Sequence, residues 1–331
     1  MKDRLGSLLC LPLRLAAFSC LAVIAAQDVA AQTFPSRPVR FMIPLAPGGG
    51  GDITVRAVAQ KLGAAWGQTV VVDNRPGGTG AIALETVARS QPDGYNIVMI
   101  SGTHTARRAT HHGRLPYDLI RDFAPVTQMT RQSYVLVLHP SVPARSITEL
   151  VALARAKPGG LTYGSAGQGS LQHLSGALLA TSTGVNLLHV AYKGGGPALA
   201  DVLAGQISMV FATPLESVPH IKTGRLRPLA VSSPQRSPVM PDLPSIAETG
   251  VAGYEVTNWY GVLAPVAIPK RLLERLNKSI VEALRTPELT ERFQRDGVEP
   301  VGSTPPEFQK HILDEIAKWE RVVKSAGIQT D

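Results

Sequence analysis

At 331 residues, with 44% hydrophobic and 18% charged residues and a formal charge of +8, the chain has a globular composition and room for two ordinary domains. Its two cysteines, Cys10 and Cys20, both fall within the first 31 residues, so the remainder can form no disulfide, thiolate metal site or cysteine nucleophile. Lys and Arg are dispersed, with no aromatic stripe between them, which sets nucleic acid aside as a partner and leaves a mild attraction for small anions.

The N-terminus reads as a secretory signal peptide over residues 1–31. Lys2, Arg4 and Arg14 give it a positive start, Leu15 to Ala26 an apolar stretch, and Val29-Ala30-Ala31 a small-residue cut that would leave Gln32 first. Ala17-Phe18-Ser19 is a poor approach for lipid attachment at Cys20. No later segment reaches the ~18 apolar residues of a membrane span, so the mature chain is expected without membrane insertion; with its leader cleaved near Ala31 it is expected in the periplasm, and as a monomer. Removal of the leader, with its net +1, leaves a charge of +7.

Val39 to Pro44 is a short apolar strand, Pro47-Gly48-Gly49-Gly50-Gly51-Asp52 a glycine loop, and Ile53 to Trp66 a helix with Asp52 as its expected N-cap and Arg56 as its i,i+4 partner. Val70 to Val72 is the next strand, Arg75 to Gly80 the next glycine loop, Ala81 to Arg89 a helix, and Asn96 to Ile100 a third strand. This rhythm predicts a mostly parallel α/β sheet covered by helices.

A second unit begins near Tyr134 with the strand Val135 to Leu138. Ser146 and Glu149 have capping-box spacing at the start of a helix reaching Ala156. The strand Leu161 to Gly164 leads into Ser165-Ala166-Gly167-Gln168-Gly169-Ser170 and a helix over Leu171 to Thr181. His189 to Tyr192 leads into Lys193-Gly194-Gly195-Gly196-Pro197 and a helix over Ala198 to Ala204, followed by strands at Ile207 to Phe211 and Leu226 to Val231. The last stretch holds the strand Trp259 to Ala264 and two long amphipathic helices, Arg271 to Arg285 and Glu307 to Lys324.

Four times, then, an apolar strand empties into a glycine-rich loop that opens a helix. Such a loop offers unpaired N–H groups backed by the helix dipole, and so can hold an anion without a charged side chain. None of the four carries the terminal Gly-Lys-Ser/Thr of a P-loop or a complete dinucleotide fingerprint, and no cofactor is expected. Gly164-Ser165-Ala166-Gly167 lacks the spacing of a hydrolase nucleophile elbow. His104 with His111 and His112 lacks a ligating carboxylate, so neither a catalytic set nor a metal site is expected.

In this order the segments resemble the substrate-binding proteins of tripartite tricarboxylate transporters, also called the Bordetella uptake gene product (Bug) family. The likeness rests on Phe34-Pro35-Ser36-Arg37-Pro38-Val39, Pro44-Leu45-Ala46-Pro47-Gly48-Gly49, Asp52 with Arg56, and Asp73-Asn74-Arg75-Pro76-Gly77-Gly78. It continues through Pro92-Asp93-Gly94-Tyr95, Leu115-Pro116-Tyr117-Asp118, Asp122-Phe123-Ala124-Pro125-Val126, Tyr163-Gly164-Ser165-Ala166-Gly167, Tyr192-Lys193-Gly194, Arg227 to Val231 and Trp259-Tyr260-Gly261. It implies a two-lobed type II periplasmic-binding-protein fold with the ligand cleft between the lobes. Residues 32–132 would begin lobe 1, 133–257 form lobe 2, and 258–331 return to lobe 1. It further implies a small carboxylate held by backbone amides and small hydroxyls, and delivery to membrane transporter subunits. A periplasmic ligand-sensing partner of a signalling receptor is the alternative, and a periplasmic hydrolase a weaker one.

The loops and the resemblance together nominate ligand contacts. The first loop supplies Pro47, Gly48, Gly49 and Asp52, the second Gly80, and the segment after the third strand Thr103. Ser165, Gly167, Gly169, Ser170 and His173 come from the third loop and its helix, and Tyr192, Lys193, Gly194 and Gly195 from the fourth. Trp259 is a candidate wall of the pocket. Arg107 and Arg108 read as surface charges, with a second carboxylate anchor as the alternative. Gly51, Leu45, Arg107-Arg108 and Ser208 depart from the usual family residues, which bears on ligand identity more than on fold.

Overall fold

The computed structural model describes residues 34–77, 80–111 and 115–325. The expected leader and its cut lie outside the described residues. Of the N-terminal unit, residues 1–37, only 34–37 are described, an irregular stretch with a cis Phe34–Pro35 peptide.

In the main unit, β1 (Val39–Ile43), β2 (Val70–Asn74) and β3 (Asn96–Ser101) run parallel, with β1 in the middle. The inner strands β1 and β3 are nearly continuous apolar runs, as strands covered on both faces must be. Helix α1 (Gly50–Trp66) follows β1, α2 (Ala81–Ala88) follows β2, and α3 (Gly102–His111) follows β3. Helix α1 begins three residues before the expected start. Gly49 is its N-cap, so Asp52 lies inside the first turn rather than capping it. Asp52 instead reaches back to accept the Gly48 N–H at 3.1 Å, and it pairs with Arg56 at 3.0 Å. The long strand β4 (Phe123–Ser133) completes this part of the chain.

One residue, Tyr134, separates β4 from β5 (Val135–Leu138), the fully buried first strand of a second sheet. Helix α4 (Ile147–Ala156) has the expected cap, with the Glu149 N–H donating to Ser146 Oγ at 3.1 Å. Strand β6 (Thr162–Ser165) leads to α5 (Leu171–Thr183), β7 (Leu188–Ala191) to α6 (Gly195–Leu203), and β8 (Met209–Ala212) to α7 (Pro214–Lys222). With β9 (Arg227–Val231) the strand order is β7-β6-β8-β5-β9, β6 running parallel to both neighbours and β5 antiparallel to both.

The chain then returns to the first sheet. Strand β10 (Thr257–Pro265) inserts antiparallel between β3 and β4, and α8 (Lys270–Leu284), α9 (Pro287–Arg295), β11 (Glu299–Pro300) and α10 (Pro305–Ser325) follow. The first sheet therefore reads β11-β4-β10-β3-β1-β2. On α8 the buried stripe is Leu276, Ile280, Ala283 and Leu284, the spacing of an amphipathic helix.

The two crossings between sheets are tied to each other. Tyr134 N–H donates to Ser232 Oγ at 2.8 Å and Ser232 N–H to the Tyr134 carbonyl at 2.9 Å. Val256 N–H, beside the start of β10, donates to the Ser232 carbonyl at 2.8 Å, and Ser232 Oγ donates to the Val256 carbonyl at 2.6 Å. No described helix is long and apolar enough to cross a membrane.

Candidate functional site

The β1–α1 loop of the first lobe meets the β7–α6 loop of the second. Ala46 N–H donates to the Lys193 carbonyl at 2.9 Å. Glycine makes the approach possible: a Cβ on Gly196 would lie 2.6 Å from the Pro47 carbonyl oxygen, and one on Gly50 would lie 2.1 Å from Thr213 Oγ1. The Gly195 and Gly196 nitrogens of the first turn of α6 lie beside Gly49, 3.7 and 3.2 Å from where its Cβ would stand, and a helix cannot satisfy its own first N–H groups. Between the lobes remains a cavity of about 20 Å³, room for about one water molecule. Leu45 and Gly49 line it from the first loop, Asp52 from the first turn of α1, Ser101 from the end of β3 and Thr103 from the start of α3, and Ala166, Gln172, Gly195 and Glu216 from the second lobe, with Asn258 and Tyr260 on β10. A larger concavity of about 810 Å³ lies on the hinge flank, where the exposed Arg131–Glu299 pair, 2.7 Å apart, occupies its wall.

Of the nominated residues, Gly49, Asp52, Thr103 and Gly195 line the interlobe cavity. Pro47 and Gly194 sit in the touching loops, Gly48 binds Asp52, and Lys193 takes part through its carbonyl while its side chain is exposed. Thr103 Oγ1 accepts the Leu171 N–H at 3.2 Å, a bond between lobes.

The 165–170 loop differs from the open anion nest expected there, because it spends its donors on itself. Gly167 N–H donates to Ser165 Oγ at 3.0 Å, Gly169 N–H to His173 Nδ1 at 3.1 Å, and Ser170 caps α5 by accepting the His173 N–H at 3.2 Å. Ser165 Oγ is also 2.6 Å from His189 Nε2, and His189 stacks on His173 with ring centroids 4.0 Å apart. Tyr192 Oη donates to Asp201 at 2.6 Å. Gly80 stands behind the first loop, against His104 and Pro44. Trp259 is a core residue of lobe 1 rather than a pocket wall: it is buried edge-to-face against Phe308, and its Nε1 donates to Glu315 at 3.1 Å.

Arg107 differs from the exposed charge expected of it. It is 2% exposed, not a surface charge, and it crosses from α3 to the second lobe, where Nη2 donates to the Ala166 carbonyl at 3.1 Å. Arg108 is a half-buried ion-pair partner of Asp118 at 3.2 Å. Glu216 was missed altogether. Its Oε1 accepts the Thr213 N–H at 2.6 Å, as the sequence Thr213-Pro214-Leu215-Glu216 permits for a capping box, and its Oε2 accepts the Gly50 N–H of the opposite lobe at 3.0 Å. One carboxylate thus serves the N-termini of two helices.

Burial sets the protonation of these groups. Desolvation pushes Glu216 up to about 7 although the N–H groups of Thr213 and Gly50 favour its anion. Desolvation, helped by Arg107, pushes His104 down to about 3, so it is a neutral ring whose Nδ1 accepts the Ser101 N–H. His173 and His189 are each lowered to about 4, again chiefly by burial. Burial opposes ionisation of Asp52, but the hydrogen bonds from Arg56 and Gly48 outweigh it and hold the carboxyl below its ordinary range. Among the described residues no group of three His, Cys, Asp or Glu is placed to hold a metal ion.

Two lobes joined by two crossings, with facing helix N-termini at a glycine-lined cleft, define a periplasmic binding protein of the type II, two-lobed class. Residues 54–328 match the model of the tripartite tricarboxylate transporter family receptor, and the chain belongs to that family. Protein BugT of Bordetella pertussis is 35% identical over 94% of this chain and 95% of its own length. The UPF0065 protein of the tcbD-tcbE intergenic region of a Pseudomonas species is 38% identical over 88% of this chain and 86% of its own. Among solved structures, an R. palustris protein with adipate superposes at a TM-score of 0.86 with 37% identity, covering 89% of this chain and 99% of the other. Periplasmic binding protein BugD superposes at 0.86 with 31% identity, covering 90% and 100%. MatC from Rhodopseudomonas palustris with bound malate superposes at 0.83 with 27% identity, covering 88% and 100%.

Proposed function

We propose that this chain is an extracytoplasmic receptor that captures a small carboxylate between its lobes and passes it, unchanged, to the membrane subunits of a tripartite tricarboxylate-type transporter. The observation that carries the reading is the meeting of the α1 and α6 N-termini across a glycine-lined cleft, where N–H groups from both lobes can converge on one anion. A ligand touching both lobes favours their closed arrangement by its differential affinity for it. The adipate and malate bound by related structures belong to the same chemical class of ligand. Lobe 1 comprises residues 32–132 and 258–331, lobe 2 comprises 133–257, and export removes a leader ending near Ala31.

A thermal-shift screen of mono-, di- and tricarboxylates tests capture. A ligand at ~100 times its Kd adds about 2.7 kcal/mol to the stability of a protein that binds it only when folded. Recovery of the ligand intact after incubation supports capture without turnover, and its consumption would replace the receptor with an enzyme. Mass spectrometry of the exported protein should find Gln32 near the N-terminus.

A further inference from the structure

The cleft contains more acceptors than an anion site calls for. Glu216 is 5% exposed, and its two oxygens hold the N–H groups of Thr213 and Gly50 with the Thr213 hydroxyl beside them. No positive side chain figures among the groups acting on it. Gln172, 4% exposed, donates its amide Nε2 to the Phe211 carbonyl at 2.8 Å, which fixes the flip and leaves Oε1 buried without a partner. Asn258, 1% exposed, shares a side-chain hydrogen bond with Tyr260 and has an Oδ1 that is buried without a partner. All three residues line the same cavity, and Glu216 and Gln172 flank Gly195, whose Cβ would stand 3.3 Å from Glu216 Oε2 and 3.1 Å from Gln172 Nε2.

Buried polar groups without partners are costly, and an acceptor is satisfied only by a donor. A plain carboxylate brings further acceptors, and a like charge beside Glu216 whenever that group is ionised. An ammonium group brings three donors and the opposite charge.

We infer that Glu216 is the counter-ion for a protonated amino group on the ligand, with Gln172 Oε1 and Asn258 Oδ1 taking its remaining protons, so that the cleft selects an amino-bearing carboxylate over the matching plain acid. This inference deepens the carboxylate reading above and rests on it for the other end of the ligand. The glycine N–H groups of α1 and α6 would hold the carboxylate while the acceptor cluster holds the amine. Glu216 also explains why a bond between the lobes can be exchanged on binding: the Gly50 N–H that it occupies belongs to the same helix N-terminus that a ligand anion would approach.

The test is calorimetric titration of the full mature chain with two matched pairs, glutamate against glutarate and aspartate against succinate, and with putrescine as an amine lacking carboxylates. In wild-type protein the amino acid of at least one pair should bind at least tenfold tighter than its plain acid. Glu216→Gln should bring that pair within about threefold, and Gln172→Met should reduce the preference in the same direction, so the outcome does not depend on one variant folding. A wild-type preference for glutarate and succinate overturns the counter-ion assignment and leaves carboxylate capture standing. So does a preference that survives Glu216→Gln unchanged, or Glu216→Gln binding plain acids no worse than wild type with no amino preference in either. Binding of putrescine alone, lost in Glu216→Gln, supports the counter-ion and overturns carboxylate capture. Binding of none of the five overturns both.

Discussion

Arg107 Nη2 donates to the carbonyl oxygen of Ala166 at 3.1 Å, joining a helix of one lobe to the strand-end loop of the other. Arg107 Nε reaches the Gln168 carbonyl of the same loop at 3.4 Å. Bonds of this kind exist only when the lobes are together. A hydrogen bond to a charged group contributes about 1.5–3 kcal/mol, so Arg107→Met should weaken ligand capture about tenfold or more. The melting temperature of the ligand-free protein should change little, since Met fills similar space without leaving a buried cation. Titration calorimetry beside a melting curve separates the two effects, and unaltered affinity would show that the bridge is irrelevant to closure.

Closure should be blocked by a single methyl group. Gly196→Ala places a Cβ 2.6 Å from the Pro47 carbonyl oxygen, a backbone atom that cannot swing aside. The variant should keep its fold but hold the lobes apart, with an enlarged radius of gyration by small-angle scattering and at least a tenfold loss of affinity. An unchanged radius and normal binding would mean that the loops do not need to meet.

Gly176→Ala tests stability without touching the cleft. Its Cβ would lie 2.2 Å from Tyr163 Cε2 inside the second lobe. Overpacking of this kind costs about 1–3 kcal/mol. Urea denaturation should register that loss, while affinity at a temperature where the variant is folded should match wild type.

Lys193→Ala should change affinity by ~0–1 kcal/mol, the range of an exposed charge, because the residue contributes to the lobe junction through its carbonyl. Abolished binding in this variant would make the site a side-chain ion pair.

Stability should peak between two opposed titrations. His104 has a folded pKa of about 3 against an ordinary 6.5, so between these values the unfolded chain binds a proton that the folded one refuses. Its contribution is present above pH 6.5 and is lost as pH falls toward 3, an effect of a few kcal/mol at 1.36 per unit. Glu216 has a folded pKa of about 7 against 4.5, so here the folded chain holds the extra proton. Its contribution is present below pH 4.5 and is lost as pH rises through 7. Melting curves across pH 4–8 should show His104→Gln blunting the acid fall and Glu216→Gln blunting the alkaline one. Profiles parallel to wild type would assign the titration to other groups.

The architecture was legible because its signals are local. Val39 to Ile43 running into glycine and then an amphipathic helix is a β-loop-α unit wherever it occurs, and the order of such units carries the resemblance to a two-lobed receptor. Helix α3 escaped notice because Thr103 to His111 is largely polar and lacks an apolar stripe. Its Thr side chains and Arg107 are buried through hydrogen bonds to its own backbone and to the second lobe. Asp52 was misplaced by three residues because two glycines, poor helix formers, open α1. They are tolerated because Thr213, Met99 and Tyr260 press against them. Glu216 announced a helix start through its spacing from Thr213, yet the Gly50 N–H it holds lies 166 positions away, beyond the reach of any local pattern. The 165–170 loop shows the opposite failure: its composition matched an anion nest, but Ser165 and His173 consume the Gly167 and Gly169 N–H groups and Ser170 caps the helix that follows.

Ser232 gives the two interlobe crossings a shared fate. Because it exchanges hydrogen bonds with Tyr134 on one side and Val256 on the other, neither strand can slide lengthwise without dragging its companion. The two crossings therefore move together when the lobes swing. Coupled crossings favour the return of Ala46 to Lys193 and of Gly50 to Glu216 together, which lowers the search entropy of finding both contacts. Loosening Ser232 would therefore show itself as slower, less faithful docking of the lobes rather than as a damaged pocket.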